Sequence, residues 1–162
     1  MEKQVTFKSI MGNYPTGVCV ITSTTNEGVP VGLTVNSFAS VSLDPTLILW
    51  SIDKRVHSYE VFKNTKNFVV HILSSEQASI CSLFATKDVD RFSNCKWKMS
   101  ANNQPIIMDC AAVLECQTFK TVDAGDHLII IGEVTDLQNN EKDPLMYHRR
   151  NFGPIPEQFY QE

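Results

Sequence analysis

Apolar and polar positions in this chain fall into short runs rather than long helical stripes. Gly17 to Thr25 is rich in valine, isoleucine and threonine and stops at Asn26-Glu27-Gly28, and Val29 to Asn36 resumes the same composition. β-Branched residues pack well on a pleated surface, and an Asn/Gly cluster between two such runs marks a turn, so the pair predicts a hairpin. Thr46 to Ile52 is a continuous apolar run, the pattern of a buried central strand. Phe68 to Leu73, Ala111 to Phe119 and Leu128 to Leu137 predict further strands, the last two joined at Asp123-Ala124-Gly125-Asp126.

Helical periodicity is confined to short segments. Ser58 to Asn64 places Tyr59 and Phe62 on one face at i, i+3. Ser74-Ser75-Glu76-Gln77 reads as a helix start, with Ser74 and Gln77 spaced as a capping box and Ile80, Leu83 and Phe84 forming an apolar face. Residues 86–105 are polar and irregular, with a loop around Asn102-Asn103-Gln104-Pro105, and a long excursion of this kind is commonly functional. Many strands with few short helices predict a mainly β fold built on a closed antiparallel sheet, a pattern that fits a barrel or a sandwich. The chain has no internal repeat, and its 162 residues, 43% of them hydrophobic, suffice for one domain over 1–162.

Charge and composition narrow the chemistry. The net charge of −4 is scattered, with no basic stripe interleaved with aromatics, so no nucleic-acid surface is expected. No apolar run is long enough for a membrane helix, and Met1-Glu2-Lys3-Gln4 leads into polar residues, so a cytoplasmic protein is expected. Cys19, Cys81, Cys95, Cys110 and Cys116 are odd in number and form no Cys-x-x-Cys, so neither a disulfide scaffold nor a metal site is expected. Cys19, Cys110 and Cys116 lie in apolar runs and read as buried small hydrophobes. His71 likewise sits in an apolar strand, as a packed or surface-facing strand histidine. There is no Gly-x-Gly-x-x-Gly to bind a dinucleotide in the Rossmann manner, and no Ser/His/Asp order or paired carboxylate that argues for hydrolysis.

The segment Val31 to Pro45 carries the most chemistry. It opens as a strand, then gathers Thr34, Asn36, Ser37, Ser40 and Ser42, and stops at Asp44-Pro45. Small hydroxyl and amide side chains hydrogen-bond without bulk, so a flat polar ligand can approach the backbone, although the same side chains can simply cap a turn. A second cluster, Ser51, Lys54 and Ser58, lies at a strand-to-helix junction suited to an anion; Arg55 and His57 can serve equally there.

Together with four further pieces in order, this segment resembles the flavin reductase-like family of FMN-binding split barrels. The pieces are Tyr14-Pro15-Thr16-Gly17-Val18, Leu49-Trp50-Ser51-Ile52-Asp53-Lys54, Gly125-Asp126-His127 and Pro144-Leu145-Met146-Tyr147-His148-Arg149. The resemblance implies a six-stranded antiparallel Greek-key split barrel and a homodimer with flavin near the subunit interface. It implies an NAD(P)H:flavin oxidoreductase that moves hydride from NADH or NADPH to FMN, or FAD, and supplies a partner monooxygenase. A flavin-binding electron carrier of the same fold is the alternative.

On that resemblance, Thr34, Asn36 and Ser37 meet the ring edge and ribityl chain, and Ser40 and Ser42 the ribityl or phosphate end. Ser51, Lys54 and Ser58 face the phosphate. Lys87 to Phe92 resembles the family's Asp-Arg/Lys-Phe loop, which implies flavin contacts from Arg91 and Phe92. His127 is expected beside the nicotinamide as the catalytic histidine, and Tyr147 and His148 over the flavin or nicotinamide pocket. The family often places glycine after the Tyr-His-Arg signature, where this chain has Arg150. Trp50 replaces a smaller family residue, to narrow the pocket or fill the barrel.

Overall fold

Strands dominate the computed structural model, which describes residues 1–161. In chain order it holds α1 (Glu2–Gly12), β1 (Thr16–Gly17), β2 (Cys19–Thr24), β3 (Pro30–Val35), β4 (Ala39–Leu43), β5 (Thr46–Asp53), α2 (Tyr59–Asn64), β6 (Asn67–Ile72), α3 (Ala78–Ala85), β7 (Trp97–Met99), β8 (Pro105–Ile107), β9 (Ala112–Ala124), β10 (His127–Asn139), β11 (Leu145–His148) and β12 (Asn151–Pro154). The expected hairpin forms: β2 pairs with β3 antiparallel, and Gly28 takes φ +80° in the turn, where a side chain would be strained.

The main sheet has seven antiparallel strands, ordered β3-β2-β6-β9-β10-β5-β4, rather than the six expected. The extra strand is β4, the serine-rich segment itself, which pairs along β5 from Ala39 to Leu43. Its Ser-Val-Ser-Leu alternation suits an edge, where one side is hydrogen-bonded and the other is wet. The expected closed sheet is also corrected, because β3 and β4 are the two ends of this order. A third correction concerns Thr46 to Ile52. It lies next to the edge, not at the centre, and buries only alternate residues, Ile48, Trp50 and Ile52. Apolar residues on both faces made it read as a fully buried strand.

Two cores lie on the two sides of this sheet. The inner one joins Ile21, Ile48, Trp50, Ile52, Phe62, Phe68, Val70, Leu128 and Ile130, from strands near both ends of the order, so the sheet curls around it. Trp50 is fully buried there, edge-on to Phe62 at 5.2 Å and Phe68 at 5.8 Å, and so fills the interior rather than narrowing a pocket. The helix expected at 58–64 is α2, which delivers Phe62 to this core with Tyr59 packed against it. Gly132 is required by close approach, because a Cβ there would run into the Phe68 ring and stand 3.2 Å from Cys116 Cβ.

The outer core holds Val18, Val20, Val69, Leu73, Cys81, Phe84, Ile106, Ile107, Val113 and Leu145. It is covered by α3, which begins at Ala78 rather than Ser74. Half of the expected capping box forms: Gln77 Oε1 accepts the Ser74 N–H at 3.0 Å, while its amide donates to the Met108 carbonyl. Residues 86–105 are not a free excursion. Phe92–Asn94 form a 3-10 turn, and the β7–β8 hairpin tucks Ile106 and Ile107 into the outer core. Trp97 was an apolar signal within that polar stretch, and the Ile106-Ile107 pair lies just after it.

His71 is fully buried and ties three elements together. Its Nδ1 donates to the Val20 carbonyl and its Nε2 accepts the Ile107 N–H, each at 3.0 Å. Burial pushes its pKa down to about 4, only partly offset by the bond to Val20. Cys19, Cys110 and Cys116 are buried as expected, and burial raises each thiol to about 12, which suppresses thiolate chemistry. Among the described residues no helix is long and apolar enough to cross a membrane.

Candidate active site

The serine-rich segment and the strand after it meet through a single side chain. Ser37, in the loop between β3 and β4, donates its hydroxyl to the Ser51 carbonyl at 3.1 Å and accepts the Ser51 N–H at 3.0 Å. Asn36 and Ser40 are solvent-facing, and Ser42 is half-buried. A bulge sets Ser40 opposite Ile48 and Ser42 opposite Leu47, neighbours on β5 whose side chains face opposite sides of the sheet. Ser40 and Ser42 therefore reach out from different faces. Ser58 precedes α2, and its hydroxyl makes no capping bond.

The β5–α2 turn lies against the β9–β10 turn. His127 pairs with Asp53 across β10 and β5, and with Ala124 across the hairpin. The hairpin turns tightly at Gly125-Asp126, with Gly125 at φ +66°. Lys54 binds that turn with three bonds. Its Nζ donates to Asp123 Oδ1 at 2.5 Å and to the Gly125 carbonyl at 2.7 Å, and its backbone N–H donates to the Asp126 carbonyl at 3.0 Å. The hydrogen bond to Asp123 raises the Lys54 pKa. Arg55 forks onto the Asp53 carboxylate, whose pKa is held well below the usual range. His57 is exposed.

His127 is half-exposed, with Nδ1 2.7 Å from Asp126 Oδ1. The hydrogen bond to His127 lowers the Asp126 pKa. An ionised carboxylate only accepts, so a hydrogen bond in this pair has Nδ1–H as its donor and leaves Nε2 outside it. Asp126 is the neighbour expected to satisfy a histidine at the start of a strand, whereas Asp123 is a partner that motif spacing alone did not single out. The only sequence signal for Asp123 was an aspartate at a turn, 69 positions from the lysine it pairs with.

Thr34 and Arg91 tie β3 to α3 and to the loop after it, beside Phe92. Thr34 donates to the Cys81 carbonyl at 2.7 Å, which docks α3 on the sheet. Arg91 donates to the carbonyls of Gly32 and Thr86, each at 2.8 Å, while its Nε is buried without a partner. Burial lowers the Arg91 pKa. Phe92 stands edge-on between Phe84 and Trp97, at 5.4 and 5.3 Å, and supports the outer core. Tyr147 and His148 are carried on a separate three-stranded sheet, β1-β11-β12, so the main sheet's ladders do not bring them to the His127 cluster. Their hairpin turns on Arg149 and Arg150, both with positive φ, 48° and 65°.

A cavity of about 720 Å³ lies elsewhere, lined by Ser74, Gln77, Ile80, Cys95, Lys96 and Lys142 among others, and none of the sequence-named site residues lines it. The named residues instead fall into separate groups on β3 to β5, at the β9–β10 turn, in the loop after α3 and on β11. Their donor set fits a flavin. A solvent-facing amide and hydroxyls suit the ring edge and ribityl chain, and uncapped Ser58 and the orphaned Arg91 Nε–H suit an anion.

Residues 11–156 match the model of the flavin reductase like domain, and the chain belongs to that family. It is 40% identical to the FMN reductase (NADH) SmoA of Agrobacterium fabrum, over 97% of this chain and 89% of that protein. The fold superposes on nitrilotriacetate monooxygenase component B from Mycobacterium thermoresistibile with a TM-score of 0.92 at 31% identity, covering 99% of this chain and 90% of that one. It matches the NADH:FAD oxidoreductase SgcE6 of Streptomyces globisporus C-1027, in complex with NAD and FAD fragments, with a TM-score of 0.89 at 30% identity, covering 96% and 94%.

Proposed function

We propose that this chain is an NADH-dependent flavin reductase that supplies reduced flavin to a partner monooxygenase. The observation that carries the reading is the convergence of the Asn36-Ser37 loop, the end of β5 and the Gly125-Asp126-His127 turn, held together by Ser37 and Lys54. The relatives named for FMN, FAD and NADH support the substrate class.

Bound flavin and nicotinamide would supply the hydride-transfer chemistry between them, and the protein supplies orientation and charge. In this reading Asn36 and Ser37 bind the ring edge, where negative charge grows on reduction, with Thr34 holding α3 behind them. Ser40, Ser42, Ser51 and Ser58 serve the ribityl and phosphate end, with the remaining N–H group of Arg91. His127 contacts the nicotinamide carboxamide, and Phe92, Tyr147 and His148 border the pocket.

The reading also includes a homodimer built from single-domain subunits, each coiled as a split barrel with its seam between β3 and β4. α1 buries none of its residues and exposes Val5, Phe7, Ile10 and Met11, while Leu43 at the end of β4 is 92% exposed, apolar surface that a second copy would cover. Five free cysteines suit a reducing cytoplasm.

Anaerobic mixing with FMN and then NADH, followed by flavin absorbance, tests the function. Rapid protein-dependent bleaching is expected. A bound flavin that NADH does not reduce would replace this reading with an electron carrier.

A further inference from the structure

We infer that Asp126 and Lys54 are positioning residues for His127, acting through the imidazole rather than on flavin. The inference rests on the reading of His127 as the nicotinamide contact. Asp126 acts on the ring and Lys54 on the backbone that carries it.

An imidazole at the start of a strand and half open to water has two neutral tautomers and free rotation about its side-chain bonds. The carboxylate 2.7 Å from Nδ1 removes both freedoms. It assigns the proton to Nδ1 and leaves Nε2 as a lone-pair acceptor facing away from Asp126, the form that receives a carboxamide N–H. Asp126 itself is one of the two turn residues, so its carboxylate is only as well placed as the turn.

Lys54 supplies that placement from the neighbouring strand end. Three hydrogen bonds run from this one residue to Asp123, Gly125 and Asp126, the residues that lead into His127. Two of the three ammonium protons are thereby committed to the turn. The charges alternate around the ring: Asp53 with Arg55, Asp123 with Lys54, and Asp126 with His127. Asp53, opposite His127 in the ladder, is forked by Arg55, and Asp126 is the carboxylate hydrogen-bonded to the imidazole. A lysine whose task was to bind phosphate would not need a carboxylate and a carbonyl as standing partners.

Three variants, Asp126→Ala, Lys54→Met and His127→Ala, test this, with Asp126→Ala and Lys54→Met also combined with His127→Ala. The first readout needs no flavin or nucleotide. In protein labelled with ¹⁵N in the histidine ring, at a pH where the ring is neutral, His127 should show the Nδ1–H tautomer and lose it in Asp126→Ala. A wild-type ring already in the Nε2–H form overturns the inference. In kinetics, His127→Ala and Asp126→Ala should each raise KM for NADH about tenfold, the size of one charge-assisted hydrogen bond, with FMN affinity by fluorescence titration unchanged. Neither second substitution should add to the loss of His127→Ala, because both act through the same ring.

A raised KM in His127→Ala with none in Asp126→Ala overturns the positioning role and leaves the reading of His127 intact. An unchanged KM in His127→Ala overturns both. Lys54→Met that weakens FMN binding rather than NADH use would make Lys54 a phosphate ligand and remove it from the inference.

Discussion

One hydroxyl closes the gap between Ser37 and Ser51, donating to the Ser51 carbonyl and accepting its N–H, with Ser37 standing in for a backbone partner beyond the end of β4. Without it, two half-buried backbone groups of β5 lose their partner. Ser37→Ala should cost about 1–2 kcal/mol of stability in urea unfolding and weaken FMN binding, while Ser37→Thr should retain most of both. An alanine variant as stable as wild type would show that water replaces the hydroxyl without loss.

His71 makes stability depend on pH. Its folded pKa is about 4 against an ordinary 6.5, so as pH falls the unfolded chain takes up the proton first. The stabilisation is whole above the unfolded pKa, and about 3 kcal/mol of it is lost between there and the folded pKa. Urea midpoints should fall from about pH 7 to about pH 4.5, and His71→Leu should be less stable at neutral pH but lack this part of the slope. An equal slope in the variant would place the titration elsewhere.

Gly132 and Gly153 differ in what surrounds them. An added Cβ at Gly132 meets Phe68, fully buried in the inner core, whereas nothing lies within 4 Å of Gly153. Gly132→Ala should therefore destabilise by about 2 kcal/mol through overpacking, with Gly153→Ala near neutral, as read by thermal unfolding. Equal effects would mean that Phe68 can move aside.

Arg150 occupies a left-handed position, φ 65°, in the two-residue turn of the β11–β12 hairpin. Glycine adopts that conformation freely. Arg150→Gly should stabilise the protein by about 1 kcal/mol in urea unfolding, because it relieves a side chain held in the αL region. A loss of stability instead would show that the Arg150 side chain makes a compensating contact.

Much of the strand framework was legible because β-branched runs and turn residues act locally. The β2–β3 hairpin, α2 and the long β9–β10 pair all lie within a few residues of their expected positions. Where the reading failed, long-range pairing decided the outcome. Ser40 to Leu43 became an edge strand because β5 was there to pair with it, and Ile106-Ile107 became strand because the outer core needed covering. The start of α3 slipped to Ala78 because Gln77 spends its amide on Ser74 and Met108.

The sequence by itself determined a mainly β chain, its family, and the segments that carry polar chemistry, because short-range periodicity and motif order survive without a partner. Only the tertiary structure decided how those segments are used. Lys54 and Asp123 are 69 residues apart, and Thr34 and Cys81 are 47 apart. Whether a lysine faces an anion or clamps a turn, and whether a threonine meets a ligand or docks a helix, depends on which groups folding brings within about 3 Å, the reach of a hydrogen bond.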